Sequence, residues 1–153
     1  MSETTDKLIN ALRGAVNEVM GTMAWCEAIA AGEKVVNSLI LDDEVGGMIH
    51  VGGDVSAMVG ISCNKRIAAE LCSRIVGLPA EELNDEDLLD GVAELANMIC
   101  GAMKSKAAVG HLDLSSPAAI VGQQFQAQWK TLHKTHILAF ELEGERFCVH
   151  LSA

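Results

Sequence analysis

Four residues in one stretch of the chain have types and spacing that suit them to act together: Asp90, Glu94, Asn97 and Gly101. At about 100° per residue they fall in one narrow arc of a helix, with Asp87 and Ser105 flanking them. Leu88, Val92, Leu95, Ile99 and Met103 fall in the opposite arc, which must face a core. A solvated helix face needs carboxylates but gains nothing from the other two. Asn and Gly are poor interior helix residues, Gly by roughly 1 kcal/mol against Ala. A glycine beside an acid and an amide suits a surface that another molecule's backbone approaches closely.

Competing chemistries find little support. The cysteines are Cys26, Cys63, Cys72, Cys100 and Cys148, an odd and scattered set with no C-x-x-C pair. Neither a disulfide framework nor a zinc knuckle is indicated. His133 and His136 stand at a strand entrance, where a spacing of three splits them between faces, and His50, His111 and His150 are far away in sequence. No metal site is expected. The Gly-rich GGMIHVGGD lacks the Gly-Lys-Ser/Thr of a phosphate-binding loop and reads as turn chemistry. Ser62-Cys63 and Ser115-Ser116 have no acid–base partner set, so a serine or cysteine hydrolase is unsupported. Met20, Met23, Met98 and Met103 read as core or contact filler.

The elements that must position the arc follow from periodicity and punctuation. The spacing predicts helices over 6–30, 64–76 and 85–107, the last capped by Asn84 or Asp85 and acidic in its first turn. Strands are expected over 34–41, 47–51, 55–62, 118–121, 136–143 and 146–151, with turns at Gly52-Gly53-Asp54 and Glu143-Gly144-Glu145. The first and third helices also align at an offset of 80, LINALRGAVNEVMGTM against LLDGVAELANMICGAM. Leu8 matches Leu88, Asn17 matches Asn97, Gly21 matches Gly101 and Met23 matches Met103. The expected fold is therefore α+β, a single domain over 1–153. A mainly antiparallel sheet is covered by two long helices and a shorter one, in pseudo-duplicated helix-plus-strands units.

With 11 basic against 21 acidic residues the net charge is −10, which repels phosphate backbones and anionic lipid headgroups. Aromatics are 3% and Tyr is absent, so base-stacking platforms have little to be built from. The polar, acidic opening is wrong for a signal peptide, and no apolar run approaches the ~18 residues of a membrane helix. The expectation is a cytoplasmic protein with reduced thiols that binds no nucleic acid and inserts in no membrane.

At the arc itself the sequence resembles a family. Asp90-x3-Glu94-x2-Asn97-x3-Gly101, within ELANMICGAMKSK, is similar to the active-site helix of the CheX/CheC/FliY chemotaxis phosphatases, with CheX the best fit in length and element order. The resemblance implies hydrolysis of the aspartyl phosphate on a CheY-like response regulator. Such a regulator supplies Mg²⁺ and a Lys itself, so its partner need only place a water in line. Asn97 would position that water, since a carboxamide accepts and donates at once. Glu94, one turn earlier, would pair with the regulator's lysine, and Asp90 and Gly101 would border the contact. The helix would bring no metal, cofactor, nucleophile or general base of its own.

The resemblance also bears on the first helix. CheC-like proteins are expected to carry Glu-x-x-Asn on both long helices, whereas here Gly14 stands opposite Glu94, which leaves one competent site. A homodimer joined through sheet edges is implied as well, with the final hairpin offering the strands. The alternative is a non-catalytic module of the same fold, binding a regulator or serving in a flagellar switch. The intact Glu-x-x-Asn face and the lack of an attached switch-protein segment favour the enzyme.

Overall fold

The computed structural model describes residues 2–24, 26–129 and 134–153. His133 lies outside them. Helix α1 (Glu3–Thr22) starts at Ser2, whose hydroxyl accepts from the Thr5 N–H. It ends well before the expected Ala30. Ala24 N–H bonds back to the Val19 carbonyl and Cys26 N–H to the Met20 carbonyl, closing the last turn. The apolar stretch beyond it, which continues the helical pattern in sequence, instead leads into strand β1 (Ile29–Val36). The expected strand over 34–41 is broken at Asn37-Ser38, after which β2 (Leu39–Gly53) and β3 (Ala57–Cys63) follow.

Helix α2 (Lys65–Val76) is capped by the Asn64 side chain and stopped by Gly77, which sits in the left-handed region with φ 80°. A short 3₁₀ turn, Ala80–Glu82, leads to α3 (Asp85–Lys106). Four strands complete the chain: β4 (Leu112–Leu114), β5 (Ala118–Trp129), β6 (Thr135–Leu142) and β7 (Glu145–Ser152). The hairpin between β6 and β7 turns at Glu143 and Gly144, both with positive φ, as a tight two-residue loop requires.

All seven strands join one antiparallel sheet in the order β1-β6-β7-β3-β2-β4, with β5 also paired to β2. Leaving the short β4 aside, the order β1-β6-β7-β3-β2-β5 reverses when β1, β2 and β3 are exchanged for β5, β6 and β7. That is the two-fold arrangement expected of a duplicated helix-plus-three-strands unit. It also corrects one expectation. β6 and β7 are paired on both sides, so the final hairpin has no free edge to offer a second copy.

Alternation splits the sheet into two faces. Val45, Ile49, Val59, Ile61, Leu138, Phe140, Phe147 and Val149 point to the helices and form the main core with α1, α2 and α3. Gly46 and Gly60 point the other way. A Cβ on Gly46 would meet Phe125 at 3.0 Å and Leu41 at 3.2 Å, and one on Gly60 would meet Leu41 at 3.1 Å. The outer half of the β2–β5 ribbon therefore curls back over the face away from the helices. There Leu39, Leu41 and Met58 make a second, smaller core.

Candidate active site

The ridge of interest stands on α3, and several local devices hold that helix. The Asn84 side chain accepts from the Asp87 N–H at 2.9 Å while the Asp87 carboxylate accepts from the Asn84 N–H at 3.0 Å. This capping box fixes the first turn. Asp87 is thereby committed to the cap rather than to the ridge. Leu88, Val92, Leu95, Ile99 and Met103 are buried, as the arc predicts. On one flank Gly91 lies so close to α2 that a Cβ would fall 2.2 Å from the Cys72 Sγ. On the other flank α1 packs alongside, with the Lys106 stem over Gly14 and its Nζ 3.5 Å from Glu18.

Held between α1 and α2, α3 presents Asp90, Glu94 and Asn97 as exposed side chains and Gly101 as half-buried. Asp90, Glu94 and Asn97 have no hydrogen-bond or ion-pair partner among the described residues. Glu94 and Asn97 are one turn apart, about 4.5 Å along the axis, on the same side. A Cβ on Gly101 would meet no heavy atom within 4 Å, so its surface is open to an approaching backbone. Ser105 donates to the Gly101 carbonyl at 3.2 Å. The spacing argument passes over one charged residue of this arc: Lys104, exposed, seven residues beyond Asn97.

The matching face of α1 is built differently. Asn17 is exposed, but Gly14 lies under Lys106 and Glu18 is paired to it. The amide therefore stands beside an occupied acid.

Elsewhere the side chains do not converge on a reaction. Ser62 and His150 meet at 3.1 Å, but the His150 Nδ1 is buried without a partner, so no acid orients the ring. Burial, with a smaller push from Lys34, lowers the His150 pKa to about 4. Burial also raises the thiols of Cys63, Cys72 and Cys100, Cys72 to about 11 and Cys100 to about 12, which leaves them unreactive. His136 lines a cleft of about 460 Å³ between α1 and β1/β6, where Arg13 is already paired with Glu33. Among the described residues no three His, Cys, Asp or Glu side chains are placed to share a metal ion. No helix among them is long and apolar enough to cross a membrane. Met20 and Met103 are core, Met98 is half-buried and Met23 is exposed.

An α+β domain of seven antiparallel strands and three helices is the fold of the CheC-like proteins. The family model described as chemotaxis phosphatase CheX matches residues 45–141, which include all of α3, and the chain belongs to that family. No curated protein matches the chain in sequence. Among solved structures, CheX from Desulfovibrio desulfuricans is 19% identical, with 94% of this chain and 97% of that one covered at a TM-score of 0.84. CheX from Vibrio vulnificus is 21% identical over 95% and 97%, with a TM-score of 0.81. The CheX–CheY–BeF3–Mg²⁺ complex from Borrelia burgdorferi is 20% identical over 94% and 96%, with a TM-score of 0.73.

Proposed function

We propose that this chain hydrolyses the aspartyl phosphate of a CheY-like response regulator. Asn97 positions the attacking water, and Glu94 docks the regulator through its active-site lysine. Asp90 and Gly101 border the contact. The observation that carries the reading is the pair Glu94 and Asn97: exposed, unpartnered, one turn apart, on a helix fixed from both flanks. A group that must order water and meet a foreign lysine has to be free of internal partners, and these two are.

The relative from Borrelia was solved with CheY, BeF3 and Mg²⁺ together. In this reading the regulator likewise supplies the Mg²⁺ that neutralises the phosphoryl oxygens, and α3 completes the site. The Asn97 amide carries both a donor and an acceptor, so it holds a water in line with the phosphorus while the leaving aspartate stays bound to the regulator's own groups. Glu94 fixes the register of that water by fixing the regulator. The chain acts in the cytoplasm and as a homodimer, joined elsewhere than at the final hairpin.

Loss of phosphoryl label from phosphorylated CheY tests this directly. Asn97→Ala is expected to lower the stimulated rate at least about a hundredfold, the usual weight of a positioned group in proton and water chemistry. Its stability should stay within about 0.5 kcal/mol, because the side chain is exposed and holds no hydrogen-bond partner among the described residues. Glu94→Gln should raise KM and flatten the salt dependence of binding. A variant at Asn97 that keeps most of its activity removes the mechanism.

A further inference from the structure

The ridge of α3 continues past Asn97. Lys104 lies within about 20° of Asn97 on the helical wheel and two turns further on, about 10 Å along the axis. It is exposed and has no partner among the described residues, whereas Lys106 gives its charge to Glu18. A lysine anywhere in the last turns complements the helix dipole, and Lys106 already does so. The position of Lys104 on the ridge is what the dipole leaves unexplained. Between it and Asn97 stands Gly101, with open space above it. Read from its N-terminal end, the ridge is acid, acid, amide, open step, cation.

We infer that Lys104 is a second charged anchor for the regulator, binding a carboxylate on the rim of its phosphorylation site and setting the direction in which it lies along α3. The inference rests on the phosphatase reading above and deepens it. A site that holds Mg²⁺ beside a phosphoryl group is lined with carboxylates, because magnesium takes oxygen ligands. The same site in this reading carries one lysine, which Glu94 meets. The regulator's charges are therefore polarised across the phosphoryl group, and the ridge is polarised oppositely across Asn97. Docked one way round, Glu94 meets the lysine and Lys104 a carboxylate. Docked the other way, like charges face each other at both ends, which disfavours that orientation. On a chain of net charge −10, an unpaired cation at this spot also offsets repulsion from an acidic rim.

The test measures KM and kcat for phosphorylated CheY, and the Kd for CheY carrying BeF3 and Mg²⁺, with Lys104→Glu and Lys104→Gln. Charge reversal should raise KM and Kd about tenfold and removal about threefold, with kcat within about twofold of wild type and a weaker salt dependence of association. Replacing rim carboxylates of CheY by lysine, one at a time, should restore binding of Lys104→Glu at one position. Unchanged KM and Kd in both variants would overturn the inference, as would a loss confined to kcat. Lys106→Gln serves as the comparator and should lower thermal stability without moving KM. If the wild type binds CheY but does not dephosphorylate it, the phosphatase reading fails while the Kd series still decides Lys104. A wild type that neither binds nor turns over CheY overturns both.

Discussion

Asn97 and Asn17 are the same residue type, each exposed on a long helix, and their surroundings set them apart. Asn97 has a free carboxylate one turn away, whereas the site before Asn17 is Gly14, roofed by Lys106. Asn17→Ala should therefore leave the dephosphorylation rate within about twofold of wild type, since a surface amide without an anchor aligns nothing. Substituting Gly14→Glu would set the new carboxylate against Lys106 and not leave it free, so it should create no second site. Rates for the two variants beside Asn97→Ala decide both points.

A different single residue contributes to acid stability. His150 is buried, and its pKa falls from 6.5 to about 4, by burial first and Lys34 second. As the pH drops below 6.5 the unfolded chain takes up a proton that the folded chain refuses until about 4. The unfolded state then holds more protons, so stability declines across that window, by up to ~3 kcal/mol, and levels off below it. Urea midpoints between about pH 4 and 7.5 should show this slope in the wild type and lose it in His150→Gln.

At the scale of elements, α3 matters most and was the most legible. Its caps, its acidic first turn and its apolar stripe are all local signals, and residues 85–107 were expected where 85–106 form. Its ridge was legible for the same reason, because a helical wheel gives directions without tertiary information. What holds the helix was not. Gly91 lies against Cys72, nineteen residues away, a contact that no local pattern announces. Gly91→Ala should cost about 1–3 kcal/mol, the range for overpacking a tight contact, against the small gain Ala brings to an open helix. It should also lower activity by tilting the ridge. Thermal melts read the first effect and rates on the still-folded fraction the second.

The strands were less legible, for physical reasons that differ by case. β5 runs on past Val121 through Gly122, Gln123 and Gln124, which interrupt its pattern, and the alternation of Phe125, Ala127 and Trp129 with glutamines beyond them is a strand signal that an end at Val121 passes over. The register shift between Asp43 and Val45 breaks the alternation of β2, and the expected strands over 34–41 and 47–51 cover its two ends without the join between them. β4 has three residues and depends on β2 for its pairing. α1 was overextended because an apolar run continues its pattern past Thr22.

For the molecule as a whole, the sheet separates two tasks. The helix face carries the ridge, and the far face carries the curled ribbon, which the fit of Leu41 and Phe125 against Gly46 and Gly60 holds down. Gly46→Val would collide with Phe125 and Leu41 and should destabilise the fold by about 1–3 kcal/mol. The rate per folded molecule should stay near wild type, because Gly46 points to the sheet face away from α3. Denaturant titration and activity measured on the same sample separate these effects.

The strand order has a consequence for how the chain comes off the ribosome. β1 has one pairing partner, β6, which is synthesised about a hundred residues later, so the first strand waits with an unpaired edge through most of translation. Neither half of the duplication can close on its own, since β6 and β7 stand between β1 and β3. Folding must await nearly the whole polypeptide and then proceed through long-range closure, the slow end of the range for a chain this size. The waiting strand reads Ile-Ala-Ala-Gly-Glu-Lys-Val-Val. The adjacent charges of Glu33 and Lys34, with a bulge beside Gly32, keep that nascent edge from recruiting a neighbour before its own partner arrives.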